Sequence, residues 1–266
     1  MIGAAAEPVP VFIVPGTTGV DETASQSIED FLQAVNENNV AFVTKDKRRT
    51  DKLNFKDGTR GQTAVHIAVK HHDCEILKNL VDKGAYLDLP DRDGVRPLAE
   101  AIREDNLLAV EILVKAKDRQ GRQCLDLHQI ITVTQNGLLH EAAWYDRIQI
   151  AKELLATGKY SAHHLNESNK MGQSTLHIAA LRASDTLVQM LVDAGANPDA
   201  VTTNKRVVAE TPQKIAEGGG KKHNAELLRS LSVATSSVAF AIKMKRKGAA
   251  AAAAGDAVGL AAEAAA

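Results

Sequence analysis

The chain repeats itself, and this repetition constrains its fold more than any other feature of the sequence. Residues 61–88 and 172–199 align without a gap over 28 positions, at a constant offset of 111 residues. Two weaker copies lie between them, and a fifth, degenerate copy begins at Thr211. The same 18 residues separate a histidine from a glycine in three copies: His66 and Gly84, His140 and Gly158, His177 and Gly195. A fixed period of about 20 to 50 residues predicts a row of stacked, similar units.

Each copy carries the signals of two short helices. Thr63 and Ser174 precede the first helix, where a hydroxyl can cap free backbone N–H groups. Apolar residues recur in the second helix with the spacing of one buried face: Ile76, Leu77, Leu80 and Val81 in one copy, Leu187, Val188, Leu191 and Val192 in another. A single helix pair cannot bury this face alone. The sequence therefore predicts an all-α solenoid in which neighbouring units supply the core.

The first-helix motif carries a family resemblance. It reads TAVHIA, RPLAEA, GLLHEA, STLHIA and TPQKIA in the five copies. This pattern resembles the ankyrin repeat, whose first helix contains Thr-Pro-Leu-His-x-Ala. The resemblance implies that His66, His140 and His177, in the signature slot, hydrogen-bond neighbouring loops. It also implies that the second helices end at the signature glycines, Gly84, Gly158 and Gly195.

The repeat pattern divides the chain into three parts. Residues 1–26 are expected to form an extended or disordered arm, and residues 232–266 a basic, alanine-rich tail. The ankyrin region covers 27–231, with a cap at 27–57 and repeats expected near 58–90, 91–118, 135–168, 169–200 and 206–231. Three insertions, around 118–136, 160–171 and 201–209, are predicted to be loops that are either tolerated on the surface or part of a binding side.

Composition and motifs exclude several classes of function. A net charge of −1 argues against bulk electrostatic binding of nucleic acid, and two cysteines provide no disulfide framework. No phosphate-binding loop, nucleophile elbow or His-Glu-x-x-His helix occurs, so we expect no enzyme activity, no cofactor and no small-molecule substrate.

The expected location follows from the basic residues and the apolar runs. Lys45 is the first basic residue, so we expect neither a secretory nor a transit signal. No apolar run is long enough to span a membrane. We expect a monomeric cytoplasmic protein, with Lys243–Lys247 as a weak candidate signal for entry into the nucleus.

The histidines and the basic stretch have alternative interpretations. The signature histidines lie on separate repeats, and adjacent pairs such as His163 and His164 should diverge on a helix, so no metal site is expected. Cys74 is expected in the core, on the face of a second helix. Residues 45–60 are expected to form a solvent-exposed finger, which is either a solvated surface or a docking site for an acidic partner or a membrane headgroup.

The resemblance also implies a binding surface. Ankyrin partners dock on the concave side, which is built from the finger loops and the exposed ends of the first helices. The residues expected to contact the partner are Lys70, His71, Arg92, Asp93, Arg103, Glu104, Trp144, Tyr145, Lys170, Met171, Leu181 and Arg182. The finger slots also include Thr59, Arg60, Gln62, Val95 and Gln173. Trp144, the single tryptophan, stands beside Tyr145, and we expect this pair to dominate the affinity. The alternative is that Trp144 fills a gap beside the insertion at 118–136.

These patterns predict a non-enzymatic scaffold or adaptor that binds another protein in its groove. Two other roles stay open. The chain could be an inhibitor or cofactor of a transcription factor, similar to the inhibitors of NF-kappaB, or an ankyrin module of a larger enzyme or effector.

Overall fold

The computed structural model describes residues 22–46, 53–117, 125–128, 131, 133–204 and 209–236. These residues form the all-α solenoid that the repeat pattern predicts. The helices are α1 Glu22–Asn36, α2 Val40–Lys45, α3 Ala64–Ala68, α4 Glu75–Asp82, α5 Pro97–Arg103, α6 Leu107–Lys115, α7 Leu138–Trp144, α8 Ile148–Ala156, α9 Ala162–Asn166, α10 Thr175–Arg182, α11 Asp185–Asp193 and α12 Pro212–Gly218. Residues 222–236 are also helical and are labelled α13.

The helices form two rows. The inner row contains α1, α3, α5, α7, α10 and α12, and each of these helices packs against the next. The outer row contains α2, α4, α6, α8 and α11, and each outer helix pairs with the inner helix that precedes it in the repeat. Asn224 extends this order to the last pair, because its Nδ2 donates to the carbonyl oxygens of Ala180 and Ala183 at 3.1 and 3.0 Å.

Small side chains allow the inner helices to approach one another closely. The buried alanines among the described side chains of this row are Ala34, Ala64, Ala68, Ala99, Ala101, Ala142, Ala143, Ala179, Ala180 and Ala216. Fully buried leucines such as Leu98 and Leu176 fill the space between them. Burying one such leucine contributes about 1.5–3 kcal/mol, and much of that burial depends on the neighbouring repeat.

The signature histidines link consecutive repeats. The Nδ1 atoms of His66, His140 and His177 accept the backbone N–H of Thr63, Gly137 and Ser174 at 3.1, 3.2 and 3.1 Å. Their Nε2 atoms lie 3.1, 3.2 and 3.0 Å from the carbonyl oxygens of Val95, Gln173 and Glu210 in the next finger. Nδ1 accepts a hydrogen bond, so it carries no proton. The carbonyl oxygen can only accept, so Nε2 must carry the proton, and each imidazole is therefore neutral. Each ring thus caps the N-terminus of its own helix and binds the finger loop of the next repeat.

Three glycines end outer helices with positive φ, as expected: Gly84, Gly158 and Gly195 have φ of 78°, 67° and 107°. The turn between α12 and α13 contains Gly220, whose φ is 74°.

The insertion around 160–171 is not only a loop, which differs from the sequence prediction. It contains helix α9, which packs against α10. Ser161 begins this helix, with its backbone N–H bonded to Nδ1 of His164 at 3.2 Å. Leu165 is fully buried and holds the helix on the stack. A capped turn with one apolar residue therefore forms a helix here.

Other sequence expectations differ in detail. α1 begins at Glu22, so the cap takes residues assigned to the arm, and residues 232–236 continue α13 rather than the tail. Cys74 is buried as expected, but it precedes α4 with φ of 55° and caps the turn, with Sγ donating to the His71 carbonyl at 3.3 Å. Burial raises the pKa of this thiol.

The expected exposed finger at 45–60 is partly internal, because Lys56 is buried and its ammonium donates to the Pro90 carbonyl. Several expectations fall outside the described residues: the arm at 1–21, residues 47–52 of the basic stretch, most of the insertion at 118–132, residues 205–208 and the tail at 237–266 with Lys243–Lys247.

Candidate protein-binding surface

Short polar side chains order the finger loops from within. Oδ1 of Asp57 accepts four backbone N–H groups, those of Thr59, Arg60, Gly61 and Gln62, at 3.2, 2.8, 2.6 and 3.2 Å. Asp91 accepts from Asp93 and Val95 at 3.0 and 2.8 Å, and Asn169 from Met171 and Gln173, both at 3.0 Å. A loop ordered in this way loses little conformational freedom when a partner binds.

Backbone hydrogen bonds join one finger tip to the next. The N–H of Arg92 donates to the Arg60 carbonyl at 3.0 Å, and the N–H of Lys170 donates to the Thr134 carbonyl at 3.1 Å. Thr203 N–H reaches the carbonyl of Gly172 at 2.9 Å. Gly172 permits this approach, since its φ is 76° and a Cβ there would overlap the backbone nitrogen of Asn204. These bonds link the tips in two groups, one at residues 60 and 92 and one that runs from residue 134 through 170–172 to 203.

Trp144 lies at the end of an inner helix and is partly exposed. It is the last residue of α7, and 40% of its surface is accessible, as is 40% of Tyr145. The guanidinium of Arg182, at the end of the next inner helix, lies 3.6 Å from the centroid of the indole ring. This cation–π contact holds an aromatic face and a positive charge together at the surface.

Two of the residues assigned to the binding slots lie in ion pairs between repeats. Nζ of Lys70 lies 3.4 Å from Oε1 of Glu100, and Nε of Arg103 donates to Oε2 of Glu141 at 2.9 Å. Both acids occupy the x position of the first-helix motif, one repeat further along. These basic side chains are therefore engaged in holding inner helices together.

Glu141 begins a buried polar network that sequence reasoning missed. Its Oε1 accepts from Asn136 at 2.8 Å, and Oδ1 of Asn136 accepts from Asn169 at 2.9 Å. Because Asn169 orders a finger, the network connects Arg103 to a loop two repeats away in the stack. A detectable signal was present: Glu100 and Glu141 replace the isoleucine found at x in the other repeats, and a basic residue precedes each in the repeat before.

Three further predicted residues lie at inner-helix ends. His71 is half-buried, and its Nε2 hydrogen-bonds the Val35 carbonyl of α1 at 2.9 Å. Leu181 is half-buried beside Gly219. Glu104 is exposed as the residue that ends α5.

The four finger-tip residues expected to contact the partner lie on exposed turns, whereas Gln62 and Val95, also assigned to finger slots, are buried. Arg92, Asp93, Lys170 and Met171 are exposed, Met171 to 62%. We use the term groove surface for the exposed finger-tip residues and the exposed ends of the inner helices. The finger-tip residues are Arg60, Arg92, Asp93, Lys170 and Met171, and the helix-end residues are Glu104, Trp144, Tyr145 and Arg182. Four cations and two carboxylates make this surface net positive. The resemblance to ankyrin repeats implies that the finger-tip residues and the helix-end residues flank one groove.

A second group of side chains shares no residue with the groove surface. His163 and His164 on α9 and Glu167, which directly follows this helix, each offer a ligand atom, and these atoms lie within 4.8 Å of one another. Among the described residues this is the cluster that could hold a metal ion. The adjacent histidines do not diverge, contrary to the sequence expectation.

Comparison with known proteins agrees with the fold. A family model described as ankyrin repeats (3 copies) matches residues 31–124, and one described as ankyrin repeat matches residues 171–203. The chain is 28% identical to human SH3 and multiple ankyrin repeat domains protein 2 over 218 residues, which cover 72% of this chain and 11% of that protein. It is 25% identical to the Nuclear factor NF-kappa-B p110 subunit of Drosophila melanogaster over 184 residues, which cover 68% of this chain and 18% of that protein.

A solved structure shares the architecture. It is a chain from the complex of a predatory endopeptidase of Bdellovibrio bacteriovorus with an immunity protein. The TM-score is 0.61 at 23% identity, and the match covers 75% of this chain and 96% of that chain.

The two rows of helices and the line of finger tips define a stacked-repeat protein, a class whose concave surfaces generally bind other proteins. Within that class, the chain belongs to the ankyrin-repeat family. The chain spans about a tenth to a fifth of the length of the two curated relatives described above.

Among the described residues, no helix has the length and apolar character needed to cross a membrane.

Proposed function

We propose that this chain is a protein-interaction module that binds an extended, acidic segment of a partner protein along the groove surface. It acts by binding, without catalysis of its own. Affinity centres on Trp144 and Arg182, and the finger tips contribute contacts on one side.

The Trp144–Arg182 pair carries this proposal. Aromatic and arginine side chains contribute most of the binding energy at protein interfaces. Here the two lie 3.6 Å apart, on consecutive inner helices, with the ring still 40% accessible. The stacked guanidinium is already oriented, so little side-chain entropy remains to be lost on binding.

The charge of the groove surface favours an acidic segment. Arg60, Arg92, Lys170 and Arg182 are exposed, and only Asp93 and Glu104 oppose them. Met171 adds an exposed apolar side chain, for which an apolar residue of the partner is the natural contact. The solved neighbour comes from a complex of two proteins, which is in keeping with a binding role.

A peptide-display selection against the full chain tests the proposal. We expect selected peptides to be enriched in Asp and Glu around an apolar residue. Trp144 is the single tryptophan, so its fluorescence reports directly on occupancy of this surface. Titration of a selected peptide should change Trp144 emission, and raising the salt concentration should weaken binding.

Matched variants separate the groove from the rest of the surface. Arg182→Ala should weaken peptide binding by about tenfold or more, equivalent to about 1.4 kcal/mol. Leu108→Ala changes an exposed apolar residue of outer helix α6 and should leave binding unchanged. Selected peptides that bind both variants equally, or that lack acidic enrichment, contradict the proposal.

Regulation of a transcription factor is the second candidate, favoured by similarity to an NF-kappa-B subunit. In this form the protein is a cytoplasmic monomer that enters the nucleus through Lys243–Lys247. Fractionation of cells that express the chain with and without residues 243–247 separates the two roles. Equal nuclear fractions favour the adaptor, and loss of the nuclear pool on deletion favours the regulator.

A further inference from the structure

We propose that His163, His164 and Glu167 form a binding site for a divalent transition-metal ion such as Zn²⁺. The site belongs to helix α9, within an insertion that the regular repeat does not require. It shares no residue with the groove surface, and its existence does not depend on the proposed function.

The end of helix α9 brings two of the ligands together. His163 lies in α9, and Glu167 is the extended residue directly after the helix, four positions further along the chain. Nδ1 of His163 is 3.1 Å from Oε1 of Glu167. Adjacent ligand atoms of a tetrahedral zinc ion lie about 3.4 Å apart, given bond lengths of about 2.0–2.2 Å. This pair is already at that separation.

The third ligand, His164, lies within reach of the same point. All three ligand atoms lie within 4.8 Å of one another, so small rotations of exposed side chains close the site. His163 and Glu167 are exposed and contact each other, whereas His164 is half-buried. The less mobile imidazole therefore acts as the fixed member around which the other two adjust.

Neighbouring groups hold the His164 ring. It stacks on His128 with ring centroids 3.8 Å apart and an interplanar angle of 22°. His128 is itself fixed, because its Nε2 hydrogen-bonds the Lys159 carbonyl at 3.0 Å. The Tyr160 ring packs against the edge of His128, with centroids 5.5 Å apart. Such outer contacts orient a metal-binding histidine.

We take Nε2 of His164 as the ligand atom, because Nδ1 is hydrogen-bonded to Ser161, and metal binding through Nε2 requires a change of tautomer. Without metal, Nδ1 accepts the N–H of Ser161 at 3.2 Å, which places the proton on Nε2. Nε2 becomes a ligand when the proton moves to Nδ1, which can then donate to the Ser161 hydroxyl oxygen 3.0 Å away. The backbone N–H of Ser161, an exposed residue, then donates its hydrogen bond to water instead of Nδ1. The exchange costs one surface hydrogen bond and provides the second partner that metal-bound histidines usually have.

The ligand set selects the type of ion. Two imidazoles and one carboxylate favour Zn²⁺, Ni²⁺ or Cu²⁺ over Mg²⁺ and Ca²⁺, which prefer oxygen ligands. Three protein ligands leave one position for water. A cavity of about 200 Å³ beside the cluster, lined by Leu127, His128, Leu138, Tyr160, His164 and Glu167, provides room for it.

Zinc titration of the tag-free full chain, followed by calorimetry, is the test. We expect one Zn²⁺ per chain, with no comparable heat from Mg²⁺. His163→Gln and Glu167→Gln should each weaken binding at least about tenfold. His223→Gln is the matched control, because His223 is an exposed histidine with a single carboxylate partner, Asp185, at 2.8 Å. This control should bind Zn²⁺ as the unmodified chain does.

Nitrogen NMR of the His164 ring provides an independent readout. Zinc should shift the proton from Nε2 to Nδ1, a change that adventitious binding elsewhere does not produce. Circular dichroism confirms that each variant is folded. Absence of a strong zinc site, retention of that site in both His163→Gln and Glu167→Gln, or an unchanged His164 tautomer at saturation each overturns the proposal.

Discussion

Arg103 on α5 donates a hydrogen bond from Nε to the buried carboxylate of Glu141 on α7, at 2.9 Å. The same register recurs one repeat earlier, where Lys70 meets Glu100 at 3.4 Å. One repeat later the equivalent position is Trp144, which meets Arg182 instead. The position four residues after the signature slot therefore contacts the next inner helix in three successive repeats.

The Arg103–Glu141 pair should be coupled energetically. Arg103→Met leaves a nearly fully buried carboxylate without its charged partner, so we expect the free energy of unfolding to fall by about 2 kcal/mol. Adding Glu141→Ile, the residue type at this position in three other repeats, should recover part of the loss, because an apolar pair tolerates burial. Urea unfolding of both single variants and the double variant measures the coupling.

Lys115→Met is the control for the double-mutant cycle of Arg103 and Glu141. It breaks solvent-accessible pairs with Glu111 on the same helix and with Glu153 on α8, and it should lower the free energy of unfolding by less than about 1 kcal/mol. Strictly additive effects of Arg103→Met and Glu141→Ile would show that the buried pair does not link the repeats.

The signature histidines should make stability depend on pH. Burial lowers the pKa of His66 and of His177 below the usual value of 6.5. Below about pH 6.5 the unfolded chain binds protons that the folded chain does not, so stability falls as the pH decreases. Between pH 7.5 and 5.5 we expect the two residues to remove about 1–2 kcal/mol from the free energy of unfolding.

Urea unfolding at pH 7.5, 6.5 and 5.5 measures this dependence. The double variant His66→Gln, His177→Gln should be less stable at pH 7.5 but should show a shallower slope. An equal slope in the variant and the unmodified chain would falsify the assignment.

Two glycines with similar backbone angles should respond differently to alanine. Gly158 has φ of 67° and open space where a Cβ would lie, so Gly158→Ala should cost about 1 kcal/mol from backbone strain alone. Gly172 has φ of 76°, and a Cβ there meets the backbone of Thr203 and Asn204. Gly172→Ala should therefore cost about 3 kcal/mol, because overpacking adds to the strain. Thermal and urea unfolding compare the two, and equal losses contradict the close contact between fingers.

Trp144 should matter more for binding than for folding. Its ring is partly exposed, so Trp144→Ala should lower the free energy of unfolding by about 1 kcal/mol. Leu98→Ala, which removes a fully buried side chain of α5, should lower it by about 2–5 kcal/mol. Far-ultraviolet circular dichroism follows both without the tryptophan signal. A Trp144→Ala chain that unfolds, while its folded fraction still binds the selected peptide, places Trp144 in the core.

The sequence was most informative where a local pattern recurs. The apolar spacing in the second helices, the hydroxyls before the first helices and the glycines after the second helices each depend on a few neighbouring residues. Repetition made these weak signals reliable. They predicted the helix pairs, the stack, the exposure of Trp144 at the end of a first helix and the exposure of Met171 on a finger turn.

Contacts between repeats could not be read in the same way. Lys70, His71 and Arg103 occupy slots that are exposed in a single repeat, yet the neighbouring repeat engages all three. His163 and His164 lie on adjacent positions of a short helix, and their convergence depends on rotamers set by Ser161, His128 and Glu167. Local sequence determined the repeating unit, because helix capping and amphipathic spacing act within one unit. Tertiary structure alone decided which polar side chains remain available, because pairing depends on distances between units that are remote in the chain.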